Sequence, residues 1–242
     1  MRLVLLGAAL AAVVGVAVAA AQPTTPPATV YAAASLTDAF PKIAPNAHFS
    51  FAGSNALAAQ IRQGAPADVF ASANVKLPFG LYGDGFCSRP TVFTRNSLVL
   101  IVPRRNRAHV DAVSDVARKG VKLVIAAKGV PVGDYTLQVL AKLKLLRALD
   151  NVVSRETDVR EVLAKVALDE ADAGFVYSTD ARAVPGKVKT IPIPARGRPE
   201  IEYGICVVLR NDKTAGHNFV RRILSPAGQR ILLRYGFLPR KP

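Results

Sequence analysis

The sequence VYAAASLTDAF, residues 30–40, sets the expected architecture of this chain. Its first part, Val30 to Ala34, carries no charge and holds only small or β-compatible residues, which is typical of a buried strand. Ser35 and Asp38 follow with the spacing of an N-terminal helix cap. A strand that runs directly into a helix leaves backbone N–H groups unpaired at the turn, and the helix dipole places partial positive charge there. Such a junction is suited to binding an anion.

Similar strand–turn–helix junctions recur along the chain. They are predicted around Ser54, across 122–135, at Asp158 and at Ser178. Strands that alternate with helices predict parallel β–α–β units, and ligands of such folds bind at the C-terminal ends of the strands. The predicted fold class is therefore α/β, with hydroxyl groups and glycine-containing turns gathered where a ligand would bind.

Other segments are irregular or strongly apolar. Residues 77–90 are rich in Gly and Pro and predict an irregular loop, whereas 97–102 and 201–209 predict apolar strands. A final helix is expected over about 215–233, with Ser225-Pro226 as the point where it could break. The length and the two apolar strands suggest two α/β lobes joined by two crossing segments.

Residues 1–21 have the features of a secretory signal peptide. Met1-Arg2 gives a positive start, an apolar run follows, and Ala19 to Ala21 supply small residues before Gln22. The alternative is a membrane anchor, because the apolar run is just long enough to span a bilayer. Residues 22–27 predict a flexible, Pro-rich leader. We therefore expect a periplasmic or extracytoplasmic protein.

The chain is strongly basic, with a formal net charge of +15 at pH 7. Such a balance often indicates nucleic acid as a partner. An exported protein rarely meets nucleic acid, and the sequence has no compact run of Arg and Lys with interleaved aromatic residues, so we expect no nucleic acid partner. A solvated basic face is one interpretation. The other is a field that attracts small anions or holds the protein near an anionic membrane surface.

The two cysteines, Cys87 and Cys206, lie far apart in the sequence. Outside the cytosol they could form a disulfide, and a free buried thiol at Cys206 is the alternative. The sequence contains no CxxC or HExxH motif and only scattered histidines. A zinc or iron–sulfur site is therefore not expected.

Seven segments, in order along the chain, resemble the periplasmic molybdate-binding proteins of ABC importers. The segments are 32–38, 51–54, 63–72, 130–133, 158–160, 171–177 and 235–237. The resemblance covers about Val30 to Phe237 and implies a two-lobe, type II periplasmic binding protein fold with a ligand cleft between the lobes. It implies that lobe 1 is 28–100 with 205–242, and that lobe 2 is 101–204.

The resemblance also implies which groups hold the ligand. The implied contacts to the molybdate oxyanion are the hydroxyls of Ser35 and Ser54, the backbone N–H groups of Val132 and Val159, and the phenol of Tyr177. No catalytic residue and no cofactor are expected, and the ligand is molybdate or tungstate. The expected partners are that small oxyanion and the membrane subunits of an ABC importer, with the protein itself a monomer.

The chemistry of the implied donors agrees with such a ligand. Molybdate and tungstate are unprotonated dianions near neutral pH, so their oxygens only accept hydrogen bonds, and Ser, Tyr and backbone N–H groups can all donate. Phosphate usually carries a proton and would need an acceptor. Another oxyanion such as sulfate remains the alternative ligand. An iron(III) binder held by tyrosines is less consistent with a sequence that has no adjacent tyrosines.

An enzyme is the remaining alternative. Ser35 or Ser54 acting as a nucleophile would need a base held beside it. His48, His109 and His217 are scattered, and neither serine lies in a G-x-S-x-G motif. We expect no enzymatic activity.

Overall fold

The structure, a computed structural model, describes residues 26–209 and 213–241. The predicted signal peptide over 1–21 and most of the predicted leader over 22–27 lie outside the described residues. Within those residues, every helix is too short or too polar to cross a membrane.

The first of two sheets has five strands in the order β2-β1-β3-β10-β4, numbered along the chain. Strand β1 pairs in parallel with β2 and β3, and β10 is antiparallel to β3 and β4. The strands are β1 (Thr29–Ala33), β2 (His48–Ala52), β3 (Val69–Ser72), β4 (Thr91–Asn96) and β10 (Ile201–Val207).

The second sheet repeats this arrangement, in the order β7-β6-β8-β5-β9. Strand β6 is parallel to β7 and β8, and β5 is antiparallel to β8 and β9. The strands are β5 (Leu98–Pro103), β6 (Leu123–Ala126), β7 (Val152–Glu156), β8 (Ala173–Tyr177) and β9 (Val188–Pro192). Two mixed sheets with helices confirm the predicted α/β class, with antiparallel strands added to the expected parallel units.

Eight α-helices accompany the sheets in the part of the chain that the structure describes. They are α1 (Phe40–Ile43), α2 (Ser54–Arg62), α3 (Lys76–Gly83), α4 (Pro131–Lys142), α5 (Val159–Ala167), α6 (Ser178–Ala183), α7 (Lys213–Leu224) and α8 (Pro226–Arg234). Helix α5 shows why they pack: Val159, Val162, Leu163 and Val166 recur at helical spacing and are all buried. The final helix does break at Ser225, whose hydroxyl caps α8 by accepting from the Gly228 N–H.

The chain crosses between the sheets twice. It leaves the first sheet after Asn96 and enters the second at Leu98, and it returns between Pro192 and Ile201. We call the half built on the first sheet (28–96 and 201–241) lobe 1 and the half built on the second (98–192) lobe 2. The domain division at 28–100 with 205–242 against 101–204 stays a prediction, and the crossings lie close to it.

Two local predictions were wrong. Residues 77–90 do not form a loop throughout, because α3 begins at Lys76. Pro78 lies in the first turn, where its missing N–H removes no intrahelical bond, and Leu81 is fully buried against the core.

The predicted helix cap at Ser35 is also wrong. Ser35 lies inside a short 3₁₀ turn, Ala34–Leu36, and its side chain caps no helix. The hydroxyl instead contacts Tyr203, and the carboxylate of Asp38 binds Arg160 of lobe 2. Both groups make long-range contacts that sequence spacing does not encode.

Both cysteines are free and buried in one small apolar cluster of lobe 1. Cys87 lies opposite Val208, two residues beyond Cys206, so the two side chains lie on the same face of the strand pair. Hydrogen bonding to Cys87, together with burial, raises the pKa of the Cys206 thiol. The free-thiol alternative is the one the structure contains.

Candidate functional site

The five predicted ligand-binding residues line one small cavity between the lobes. Ser35 and Ser54 reach it from lobe 1, and Val132, Val159 and Tyr177 reach it from lobe 2. The cavity encloses about 210 Å³ of space not occupied by atoms, part of it open to solvent. That size suits a small ion rather than a sugar or a peptide. The other lining residues are Ala33, Ala34, Ala52, Gly53, Ala73, Val130, Pro131 and Asp158.

Strand ends bring these residues together. Ser35 follows β1, Ser54 follows β2, Val132 follows β6, Val159 follows β7, and Tyr177 is the last residue of β8. These strands are the parallel members of the two sheets, and their C-terminal ends face one cleft. Ligands of α/β folds bind at this edge. The strand–turn–helix pattern in the sequence therefore predicted the location of the cavity.

Two helices offer backbone N–H groups to the cavity. Helix α4 begins at Pro131, so the N–H of Val132 in its first turn has no intrahelical acceptor. At α5, the Asp158 carboxylate accepts from the N–H groups of Arg160, at 2.6 Å, and Glu161, at 3.2 Å. The Val159 N–H lies outside this cap. The valine side chains are packed in the core, so only their N–H groups are available to a ligand.

Ser54 is held as a donor. The Ala73 N–H donates to Ser54 Oγ at 3.2 Å, so this oxygen is already an acceptor for the protein. A hydroxyl has one proton, and that of Ser54 is left for another acceptor. The side chain is 1% exposed. The cavity is the direction in which such an acceptor could lie.

Tyr177 offers the fifth donor. The residue is 1% exposed, and its Oη has no partner at hydrogen-bond distance among the residues that the structure describes; the ring of Tyr203 packs beside it, with centroids 5.7 Å apart. Burial raises the pKa of this phenol well above its usual value of 10.0, so the hydroxyl keeps its proton. A buried hydroxyl without an acceptor is costly, by roughly 1–3 kcal/mol. An acceptor supplied by a ligand would remove that cost.

The cavity lining carries no cationic side chain among the described residues, and Asp158 is its one acid. The Asp158 carboxylate is turned toward the first N–H groups of α5. Across 26–209 and 213–241 there is also no cluster of His, Cys, Asp and Glu that could hold a metal ion. An anion in this cavity would be bound by neutral donors and helix N-termini rather than by a countercharge.

An ion-pair network lies beside the cavity and joins the lobes. Arg160 of α5 contacts Asp38 of lobe 1 at 2.5 Å and Asp180 of α6 at 2.8 Å. Asp180 is fully buried, and burial raises its pKa to about 7 although Arg160 opposes the shift. This network was not predicted from the sequence. Its only local signal was an arginine directly after a predicted donor.

Comparison with known proteins was consistent with this geometry. The model of the bacterial extracellular solute-binding protein family matches residues 28–238. The molybdate-binding protein ModA of Mycobacterium tuberculosis is 36% identical over 219 residues, which cover 86% of this chain and 83% of that protein. ModA of Haemophilus influenzae is 35% identical over 226 residues, covering 86% and 89%.

A solved structure shares the architecture. The periplasmic molybdate-binding protein of Azotobacter vinelandii superposes with a TM-score of 0.77 at 25% sequence identity, covering 88% of this chain and 100% of that one. Both the family match and the structural match extend over nearly all the described residues, and therefore over both lobes. This chain belongs to the bacterial extracellular solute-binding protein family.

Proposed function

We propose that this protein captures molybdate, and tungstate by the same contacts, outside the cytoplasm and delivers it to the membrane subunits of an ABC importer. The observation that carries the proposal is that five residues able to donate hydrogen bonds line one small cavity whose described lining has no cationic side chain. The relatives named as molybdate-binding proteins support the choice of ligand. The membership of this chain in a solute-binding family also supports a role in binding rather than in catalysis.

The donor set favours an oxyanion without a proton. Ser54 already accepts from the Ala73 N–H, which leaves its proton for a ligand, and the phenol of Tyr177 stays protonated. The N–H groups of Val132 and Val159 can only donate. Hydrogen phosphate would place its O–H against these donors, whereas every oxygen of molybdate, tungstate or sulfate can accept. We expect discrimination against phosphate for this reason.

The magnitudes are sufficient for tight binding. Hydrogen bonds to a charged group contribute roughly 1.5–3 kcal/mol each, so five donors supply about 7–15 kcal/mol before costs are subtracted. Desolvation of the dianion and ordering of the two lobes reduce that sum. A dissociation constant in the micromolar range corresponds to about 8 kcal/mol, which lies within reach.

Delivery requires no covalent chemistry in this proposal. The ligand touches both lobes and therefore stabilises the arrangement in which they are close, and a membrane importer can distinguish that state from an open one. Sulfate is the alternative ligand, because it is also a fully deprotonated tetrahedral dianion at neutral pH. It is smaller than molybdate, so the spacing of the donors decides between them.

Isothermal titration calorimetry tests the proposal. The purified protein is titrated with molybdate, tungstate, sulfate and phosphate, and the series is repeated with Ser35→Ala. We expect similar affinities for molybdate and tungstate, weaker binding of sulfate, no measurable binding of phosphate, and at least tenfold weaker molybdate binding by Ser35→Ala. Stronger binding of sulfate than of molybdate would mean that sulfate is the ligand. No measurable binding of any of the four anions would refute the proposed function.

A further inference from the structure

A buried tyrosine stands behind the Ser35 hydroxyl. Tyr203 of β10 is fully buried, and its Oη lies 2.9 Å from Ser35 Oγ. The same Oη lies 3.2 Å from the side-chain nitrogen of Asn96, the last residue of β4. The Tyr203 ring packs edge-to-face on Phe93, with centroids 6.1 Å apart, and on Phe237 at 5.6 Å. The ring is fixed, so its hydroxyl is aimed at Ser35.

The orientation of the Asn96 amide is determined by its neighbours. The backbone N–H of Ser97 donates to Asn96 Oδ1 at 2.9 Å, and the Ser178 hydroxyl lies 3.2 Å from the same oxygen. An amide nitrogen could not accept from a backbone N–H, so the oxygen must occupy this position. The Asn96 nitrogen then faces Tyr203 Oη, at 3.2 Å, and Thr179 Oγ1, at 3.0 Å.

This orientation fixes the direction of the hydrogen bond between Asn96 and Tyr203 and indicates the direction of the next one, between Tyr203 and Ser35. Asn96 Nδ2 can only donate, so Tyr203 Oη accepts from it. Ser35 Oγ, at 2.9 Å, is then an acceptor within hydrogen-bond distance for the single proton of the phenol. The proton of Ser35 is consequently left for the cavity. Burial raises the pKa of Tyr203 well above 10.0, so the phenol keeps the proton that it donates.

We propose that Tyr203 and Asn96 are positioning residues that hold Ser35 as a hydrogen-bond donor to the bound oxyanion. The inference rests on the proposed function, since it concerns the same cavity. It explains a property that Ser35 alone does not have, because a free serine hydroxyl can rotate and accept as well as donate. With Ser35 able to accept, the cavity could hold an anion that carries a proton.

The same chain of hydrogen bonds spans both lobes. Ser35 and Tyr203 belong to lobe 1, whereas Thr179 and Ser178 are the residues directly after β8 of lobe 2. Asn96 lies at the first crossing between the sheets and bonds to both sides. The donor orientation of Ser35 is therefore supported by hydrogen bonds that join lobe 1 to lobe 2 at the first crossing between the sheets.

The test is a double-mutant cycle read by calorimetry with molybdate as the probe. Tyr203→Phe removes the hydroxyl and keeps the ring packing. We expect molybdate binding to weaken about tenfold, and phosphate, undetected with wild type, to become measurable. In the Ser35→Ala background, Tyr203→Phe should change the dissociation constant less than twofold, because Tyr203 acts through Ser35. Tyr31→Phe, a half-buried tyrosine of β1 outside the cavity lining, is the matched control and should bind as wild type does.

A second variant covers the case in which Tyr203→Phe folds poorly. Asn96→Asp keeps the shape of the side chain and replaces the amide donor by an acceptor. The phenol of Tyr203 then donates its proton to residue 96. Ser35 must therefore donate to Tyr203 instead of to the ligand. We expect weaker molybdate binding, and Tyr203→Phe added to Asn96→Asp should not weaken it further. Thermal melting of every variant separates loss of fold from loss of orientation.

The outcomes separate this inference from the proposed function. If wild type does not bind molybdate, the proposed function fails and the inference with it. If wild type binds and Tyr203→Phe binds within twofold of it, or if the effects of Tyr203→Phe and Ser35→Ala add fully, the positioning role alone is overturned. A Ser35→Ala protein that binds molybdate as wild type does would also overturn it, because Ser35 would then make no contact with the ligand for Tyr203 and Asn96 to support.

Discussion

Gly53 of lobe 1 lies directly against the carbonyl oxygen of Thr157 of lobe 2. A Cβ at Gly53 would come within 2.3 Å of that oxygen, whereas real Cβ atoms essentially never approach closer than 3.0 Å. The φ angle of Gly53 is −57°, which any residue adopts. Glycine is therefore needed here for space between the lobes and not for conformational freedom, and the contact adjoins the cavity.

Gly53→Ala should fold normally and fail to reach this close arrangement of the lobes. We expect molybdate binding to weaken tenfold or more, while the melting temperature of the ligand-free protein changes little. Small-angle scattering with saturating molybdate should show a more open shape than wild type. Gly83→Ala is the control, because a Cβ there would have no neighbour within 4 Å. Unchanged affinity of Gly53→Ala would show that binding does not require this contact.

Stability should fall as the pH rises from about 4 to about 7 because of Asp180. Burial raises the pKa of Asp180 from 3.8 to about 7, so the folded state binds this proton more tightly than the unfolded chain does. The resulting stabilisation is fully present below about pH 4 and is lost as the pH rises through about 7, reaching at most about 4 kcal/mol. Urea denaturation between pH 4 and 8 measures it.

Asp180→Asn is the comparison for that measurement. It removes the titrating group and keeps the shape of the side chain, so the free energy of unfolding should depend much less on pH over the same range. The two proteins differ only at residue 180, so the difference between their pH profiles reports on Asp180. Equal pH dependence of the two proteins would mean that Arg160 keeps Asp180 ionised throughout.

Two lysines should accelerate ligand capture. Lys76 of lobe 1 and Lys128 of lobe 2 line a groove that also includes Pro131, a residue of the cavity wall. Positive charge beside an entrance raises the encounter rate of an anion, and salt screens the effect. In Lys76→Gln/Lys128→Gln, we expect a severalfold lower association rate at low ionic strength, an unchanged dissociation rate and a weaker dependence on salt, measured by stopped-flow fluorescence.

The control for this pair is Lys187→Gln/Lys189→Gln, which makes the same change in net charge at and beside the edge strand β9, outside the groove lining. If both double variants lower the association rate equally, the overall net charge of +15 attracts the ligand, and the position of Lys76 and Lys128 in the groove makes no additional contribution. An association rate that does not respond to salt in wild type would exclude steering altogether.

The position of the cavity could be predicted from the sequence because its parts are local. Each of the five predicted residues lies at or just after the C-terminal end of a short strand, where a turn or a helix begins, and that pattern is visible within about ten residues. The resemblance then selected Val132 and Val159, whose valine side chains carry no polar signal of their own. The structure places all five residues at one cavity.

The supporting groups could not be predicted in the same way. Tyr203 is 168 residues from Ser35, and Arg160 is 122 residues from Asp38. Such pairs depend on how the two sheets meet, and neither partner has a pattern that points to the other. The loop predicted over 77–90 was wrong for a different reason. Gly and Pro favour loops on average, but Pro78 lies in the first turn of α3, where proline is tolerated.

The most direct test of the central claim is a crystal structure of the protein with molybdate, using the anomalous scattering of molybdenum to locate the ion. The account predicts one strong peak in the cavity between the lobes, with oxyanion oxygens at hydrogen-bond distance from the hydroxyls of Ser35, Ser54 and Tyr177 and from the N–H groups of Val132 and Val159. A peak at another site, or an ion held in this cavity by lysine or arginine side chains, would contradict it.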